Sequence, residues 1–62
     1  MTVEKARELI AVQVGFKSGY NRNASKLILA EVTKQHGQAT VDQLIREFRM
    51  DEVFGFQPGT RF

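Results

Sequence analysis

Large aromatic side chains are concentrated in a short segment of this sequence. Three of the five phenylalanines, Phe54, Phe56 and Phe62, lie within residues 54–62, which Pro58 and Gly59 interrupt. Burying one phenylalanine contributes about 1.5–3 kcal/mol to the stability of a fold. A fold that left all three in water would lose much of its driving force. We therefore expect this segment to fold back on the rest of the chain.

The chain is short and has no covalent means of reinforcing its core, because its 62 residues include no cysteine. A domain of this length buries only about 60% of the surface that its unfolded chain exposes. Such a core rarely supplies more than about 3–5 kcal/mol of net stability. A single histidine, His36, does not make a zinc site. We expect no metal or cofactor, and a homodimer or a larger protein partner that completes the core.

The composition is that of an ordinary globular protein. Hydrophobic residues make up 42% of the chain and charged residues 26%, which argues against disorder along its whole length. No apolar run approaches the roughly 20 residues of a transmembrane helix, and the first ten residues lack the apolar stretch of a signal peptide. A net charge of +2 is too small for a nucleic-acid-binding tail. We expect a single cytoplasmic domain over residues 1–62.

Apolar periodicity predicts an all-α fold of three short helices with the aromatic segment folded back on their core. The spacing of apolar residues places these helices at about residues 2–14, 24–36 and 40–50. The apolar stripe of the third helix fails after Phe48, so a second short turn is expected to begin near Asp51. Residues 15–23 are predicted to form a loop, because glycine, asparagine and serine favour turns.

Capping residues predict the ends of these helices. Thr2 and Asn23 are the expected N-caps of the first and second helices, because their side-chain oxygens can accept from an unpaired amide. Gly15 is expected to end the first helix in the left-handed conformation. Thr40 and Gln43 have the spacing of a capping box at the start of the third helix.

The aromatic segment allows two interpretations. A type II turn at Pro58-Gly59 would return Phe62 towards Phe54 and Phe56, and the three rings would then cover the open end of the helices. The same rings could instead pack on a second copy or on another protein, because large aromatic groups dominate interface energetics. The candidate interface residues are Phe54, Phe56, Phe62 and Leu27.

A cluster of cations precedes the predicted second helix. Residues 15–26 combine positive charge, polar side chains and one aromatic ring, which together favour contact with a phosphate, a carboxylate or a nucleic acid. The spacing does not match a Walker A loop. The alternative is a solvated basic loop without a ligand. The candidate anion-binding or nucleic-acid-binding residues in this cluster are Lys17, Tyr20, Arg22 and Lys26.

The second and third predicted helices allow a nucleic-acid-binding interpretation. The stretch SKLILAEVTKQHGQATVDQLIREFRMD, residues 25–51, resembles in its apolar rhythm the helices that precede the recognition helix of winged-helix proteins. The recognition helix itself is missing, because residues 52–62 are too short and too aromatic. Arg46 and Arg49 are the candidate phosphate contacts. They alternate with Asp42 and Glu47, so a solvated helix face is the alternative.

No combination of residues indicates catalysis. His36 is expected at the end of the second helix, where a cation is favoured by the helix dipole. The serines and carboxylates of the chain show no spacing that would group them with this histidine. We therefore do not expect an enzyme. The sequence favours a non-catalytic, self-associating interaction module, such as a small regulator or accessory subunit. The alternative is a small DNA- or RNA-binding protein.

Overall fold

The computed structural model describes residues 1–62 and confirms an all-α fold without strands. Four helices follow one another along the chain: α1 (Val3–Phe16), α2 (Gly19–His36), α3 (Gln38–Glu47) and α4 (Met50–Phe54). Residues 55–62, here called the C-terminal segment, contain no helix. No helix has the length and apolar character that crossing a membrane would require.

Helix α1 begins at the predicted cap and ends later than predicted. The Thr2 hydroxyl accepts a hydrogen bond from the Lys5 amide at 3.1 Å, as expected of an N-cap. Gly15 does not end the helix, which continues to Phe16. Lys17 takes the left-handed position instead, with φ 57°, and its amide donates to the Gln13 carbonyl at 3.1 Å.

Helix α2 begins five residues before the predicted start at residue 24, so the predicted loop at residues 15–23 is wrong. Ser18, not Asn23, is the N-cap, and its hydroxyl accepts from the Asn21 amide at 3.2 Å. The Asn21 side chain donates to Gln13 of α1 at 2.7 Å. The polar residues that favour a turn therefore cap α2 and join it to α1.

Helix α3 begins and ends earlier than predicted. Gly37 alone separates it from α2, and the capping box does not form, because Thr40 is already inside the helix. The Thr40 hydroxyl donates to the His36 carbonyl at 3.4 Å instead. The predicted end near residue 50 is also wrong, since Arg49 adopts a left-handed conformation with φ 52°.

This break redirects the chain into α4. The expected short turn near Asp51 exists and begins at Met50. Met50 and Phe54 are four residues apart and therefore share one face of the turn. Both are buried, with 0% and 7% of their surface exposed. The left-handed conformation of Arg49 thus turns the chain so that Met50 and Phe54 face the core, whereas the apolar stripe of a continuous helix would have ended at Phe48.

Ten apolar residues from all four helices and the C-terminal segment form one core. Helix α1 packs on α2, α2 on α3, and α3 on α4. The buried members are Ala6, Ile10, Leu29, Val32, Val41, Leu44, Ile45, Met50, Phe54 and Phe56.

The C-terminal segment folds back on this core, as predicted. Gly59 has φ 91°, which the third position of a type II turn requires, and the Thr60 amide donates to the Gln57 carbonyl at 3.1 Å. The ring centre of Phe56 lies 5.8 Å from that of Phe54 and 5.2 Å from that of Phe62. The three aromatic rings therefore form one cluster within a single chain.

Candidate binding groove

A groove of about 490 Å³ lies between α2 and the C-terminal segment. Its volume falls within the range of about 300–1,000 Å³ that is usual for ligand sites. Its apolar wall consists of Leu27, Ala30, Phe56 and Phe62. Three cations, Arg22, Lys26 and Arg61, complete the lining with Gly55 and Thr60. No aspartate or glutamate lines the groove, so its charged side chains are all cationic.

Helix geometry explains how α2 contributes to both parts of this lining. Arg22, Lys26 and Ala30 follow one another at four-residue steps and therefore lie on one side of the helix. Leu27 adjoins this row and is 74% exposed. The buried side of α2 carries Ser25, Leu29 and Val32. The groove adjoins this side at the half-buried Arg22 and Ala30 and extends to the exposed Lys26 and Leu27.

Arg22 is held in position by two contacts with the C-terminal part of the chain. Its Nε donates to the Phe54 carbonyl at 2.9 Å, where the end of α4 leaves carbonyls without helical partners. Its guanidinium carbon lies 4.8 Å from the centre of the Phe56 ring, an attractive cation–π distance. Only Nε is used in hydrogen bonding within the chain. Both Nη groups therefore remain available to a ligand.

Lys26 and Arg61 are exposed and form no ion pair. The ion pairs of the chain lie elsewhere and are Lys5–Glu8 at 3.5 Å, Arg7–Glu47 at 3.0 Å and Arg49–Glu52 at 3.7 Å. The charge at the groove is therefore not neutralised by the protein itself.

Asp42 fixes the turn that brings Arg61 to the groove. Its Oδ1 accepts from the Gly59 amide at 2.7 Å and from Gln38 Nε2 at 2.9 Å. The same Gln38 nitrogen donates to the Thr60 carbonyl at 2.9 Å. The hydrogen bond from Gly59, then that from Gln38 and the nearby Arg46 cation, lower the pKa of the Asp42 carboxyl. Ionised Asp42 therefore stabilises the docked C-terminal segment.

This arrangement predicts a specific pH dependence. Because the folded chain lowers the pKa of Asp42, the contribution of Asp42 to stability is fully present above the unfolded value of about 3.9. It is lost as the pH falls through the lower folded value. We expect Asp42→Asn to melt below wild type at neutral pH. The difference should begin to shrink as the pH falls below about 4 and should vanish only below the lowered pKa of the folded chain. Thermal melts followed by circular dichroism over this range measure the difference.

Asp51→Asn is the matched control for this experiment, because Asp51 is exposed and its side chain takes part in none of the hydrogen bonds that hold the turn. It should follow the wild-type melting temperature across the whole pH range. A constant difference between wild type and Asp42→Asn at every pH would contradict the assigned role of ionised Asp42.

The residues predicted as an interface differ in how far the structure buries them. Phe54 and Phe56 are 7% and 3% exposed and pack inside the chain, while Phe62 is half-buried. Leu27 is the exposed member of this set. Phe56, Phe62 and Leu27 all line the groove, whereas Phe54 does not. The role of these residues as an interface stays a prediction.

The residues predicted to bind anions are also divided. Arg22 and Lys26 line the groove, whereas Lys17 ends α1 and Tyr20 is 81% exposed outside the groove. Residues 19–26 of the predicted basic loop form the first part of α2, so the predicted loop conformation is wrong for them. Arg46 and Arg49 also lie outside the groove, and Arg49 pairs with Glu52 at 3.7 Å.

Sequence reasoning missed Arg61 and Ala30. The signal for Arg61 was present, because a turn at Pro58-Gly59 that returns Phe62 to the core must also return its neighbour. Ala30 carried no signal, because one alanine on a helix does not indicate a binding wall. His36 lies outside the groove, with Nε2 at 2.9 Å from the Met1 carbonyl oxygen.

Comparison with known proteins identifies no relative, since no protein-family model, curated protein or solved structure matches the chain. No group of three or more histidine, cysteine, aspartate or glutamate side chains is arranged to hold a metal ion.

Proposed function

We propose that the chain is a non-catalytic protein-interaction module, a small regulator or accessory subunit, that binds its partner in the groove. The observation that carries this proposal is Leu27, an aliphatic side chain that is 74% exposed beside the apolar wall. Leaving a leucine in water brings no benefit to the fold, whereas an apolar group from a partner would bury it at a gain. Our expectation of a cytoplasmic location belongs to the same proposal.

The lining of the groove supports a binding role over a catalytic one. General acid–base catalysis needs a side chain that exchanges a proton near neutral pH, usually histidine or a carboxylate. The groove has neither, and its ionisable groups are one lysine and two arginines. These groups bind and orient anions, which is sufficient for an interaction module.

Self-association remains a prediction and is restricted by the charge of the groove. Two copies that met groove to groove would place three cations against three, and like charges across an interface are strongly unfavourable. A homodimer would therefore use a different surface. Val12 and Phe16 are exposed apolar residues one turn apart on α1, with 52% and 72% of their surface accessible.

The proposal is tested by selecting peptides from a displayed random library on the immobilised full chain. We expect the enriched peptides to bind Leu27→Gln about fivefold or more weakly than wild type, because losing an interface anchor costs more than about 1 kcal/mol. Val12→Gln is the matched control, since Val12 is exposed outside the groove, and it should bind as wild type does. Light scattering of the same preparations gives the mass of the free chain.

Two results would contradict the proposal. One is a selection that enriches no peptide above the background. The other is a set of peptides whose affinities do not depend on Leu27. Circular dichroism establishes that Leu27→Gln is folded, which we expect because the substitution is on the helix surface and glutamine is a good helix former.

Nucleic-acid binding is the second candidate function, and one observation favours it. The cations Arg22, Lys26 and Arg61 converge at one place, and the exposed Tyr20 ring is on the same helix as two of them. This candidate requires that a labelled oligothymidylate bind at physiological salt with an affinity that falls steeply as salt rises.

A further inference from the structure

We infer that the partner of the groove is an acidic segment of another protein, in which an apolar side chain is flanked by carboxylates. This inference rests on the proposed function and specifies the chemistry of the partner. It follows from three features of the groove: its uncompensated charge, the fixed orientation of Arg22 and the covered face of Phe56.

The charge of the groove requires an anionic occupant. An apolar group that packs against Leu27, Ala30 and Phe62 also removes water from the cations beside them. Removing water from a cation is costly unless an anion pairs with it. Since the groove has three cationic side chains and no aspartate or glutamate, we expect the partner to supply negative charge.

The fixed orientation of Arg22 favours a carboxylate as that negative group. The hydrogen bond from Nε to the Phe54 carbonyl and the position of the guanidinium over the Phe56 ring restrict the orientation of this side chain. The free Nη groups then form a rigid fork whose geometry matches the two oxygens of a carboxylate. Little conformational entropy is lost when such a prearranged side chain binds.

The aromatic rings of the groove argue against nucleic acid as the occupant. Single strands are held by stacking bases on open aromatic faces. The Phe56 ring is 3% exposed and is covered by Arg22, and Phe62 meets it edge-on at an interplanar angle of 79°. Leu27 and Ala30 have no aromatic face. This wall therefore suits the aliphatic or aromatic side chains of a peptide better than it suits bases.

The exposed acidic residues of this chain are poorly suited to the groove, which argues against a second copy as the occupant. Asp51 and Glu52 are exposed neighbours in α4, but the apolar residues around them, Met50 and Phe54, are buried in their own core. Glu52 also pairs with Arg49.

On α1 the exposed Glu4 and Glu8 precede the exposed Val12, but Lys5 pairs with Glu8 at 3.5 Å. A contact from α1 of one copy to the groove of the next would also be heterologous, and such contacts build open chains of copies unless they close into a ring. We therefore expect a different protein as the partner, and a mass that grows with concentration in light scattering would contradict this choice.

The test measures the binding of a fluorescein-labelled peptide, in which Glu and Asp flank one Leu and one Phe, to the full chain by fluorescence anisotropy. The controls are the same peptide with Gln and Asn in place of its acids, and labelled oligothymidylate. We expect wild type to bind the acidic peptide at least about tenfold more tightly than the neutral one, since paired charges across an interface add affinity that an amide does not.

Charge reversal locates this effect at the groove. The double variant Lys26→Glu/Arg61→Glu should bind the acidic peptide at least about tenfold more weakly than wild type does. Lys17→Glu/Lys34→Glu makes the same change in net charge outside the groove, and should retain most of the affinity. A peptide with Lys in place of the acids should show the opposite preference and bind the groove variant more tightly than wild type.

Each contrary outcome overturns a defined part of the argument. Equal binding of the acidic and neutral peptides, still dependent on Leu27, overturns the acidic partner and leaves the proposed function standing. Equal losses in the two double variants show a general charge effect and overturn the assignment to the groove. Tighter binding of oligothymidylate, lost in the groove variant, establishes nucleic acid as the occupant. If no peptide binds in this test and the library selection yields no peptide that depends on Leu27, both proposals are overturned.

Discussion

Phe56→Ala should lower the free energy of unfolding by about 3–5 kcal/mol, the usual cost of removing a buried phenylalanine side chain. Phe56 is 3% exposed and contacts the rings of Phe54 and Phe62 and the guanidinium of Arg22. The expected loss equals the net stability of about 3–5 kcal/mol that a core of this size supplies. The variant should therefore be largely unfolded at 25 °C, as measured by circular dichroism and urea titration.

Phe16→Ala provides the matched control, because it removes the same side chain from a position that is 72% exposed. Surface substitutions usually change stability by less than about 0.5 kcal/mol, so this variant should unfold at the wild-type urea concentration. If Phe56→Ala were as stable as Phe16→Ala, the C-terminal segment would be an appendage and not part of the core.

Gly37→Ala should destabilise the fold by about 1–3 kcal/mol, the cost of a residue forced into a sparsely populated backbone region. Gly37 alone connects α2 and α3, with φ 90° and ψ 171°, a conformation that is essentially restricted to glycine. A Cβ at this position would meet no atom within 4 Å. The expected loss therefore arises from the backbone and not from a clash.

Gly15→Ala is the matched control, because it adds the same methyl group at a position where the backbone does not require glycine. Gly15 is inside α1, has no positive φ, and would also meet no atom within 4 Å of an added Cβ. Alanine is favoured over glycine by about 0.5–1 kcal/mol in the middle of a helix, and Gly15 lies in the last turn of α1, so this variant should be as stable as wild type or slightly more stable. Thermal melts of both variants give the comparison, and a neutral Gly37→Ala would show that the link relaxes to a conformation open to alanine.

Local signals in the sequence predicted most of the helical structure. Apolar periodicity located the three longer helices, and the turn residues Pro58 and Gly59 predicted how Phe62 returns to Phe54 and Phe56. The start of α2 was missed because Asn21 and Ser18, both common in turns, here serve as parts of a cap. The hydrogen bond from Asn21 to Gln13 joins two helices, and such a contact has no signature in local spacing.

The candidate site was predicted in two separate pieces. Arg22 and Lys26 were assigned to a basic loop, and Phe56 and Phe62 to an aromatic interface. The structure brings both sets to one groove, although more than half of the chain separates Arg22 from Phe62 in sequence. Composition and periodicity describe neighbours along a chain, and therefore do not reveal which distant segments will meet.

The order in which helices pack has a consequence for the route by which the chain folds. Each helix packs on the next one along the chain, and proteins whose contacts are local in sequence fold rapidly. The hydrogen bond from Arg22 to the Phe54 carbonyl spans 32 residues. The loop that it closes is longer than those between neighbouring helices, so its entropic cost is higher. The helices are thus expected to associate first, and the groove is completed only in the last step, when the aromatic cluster closes over them.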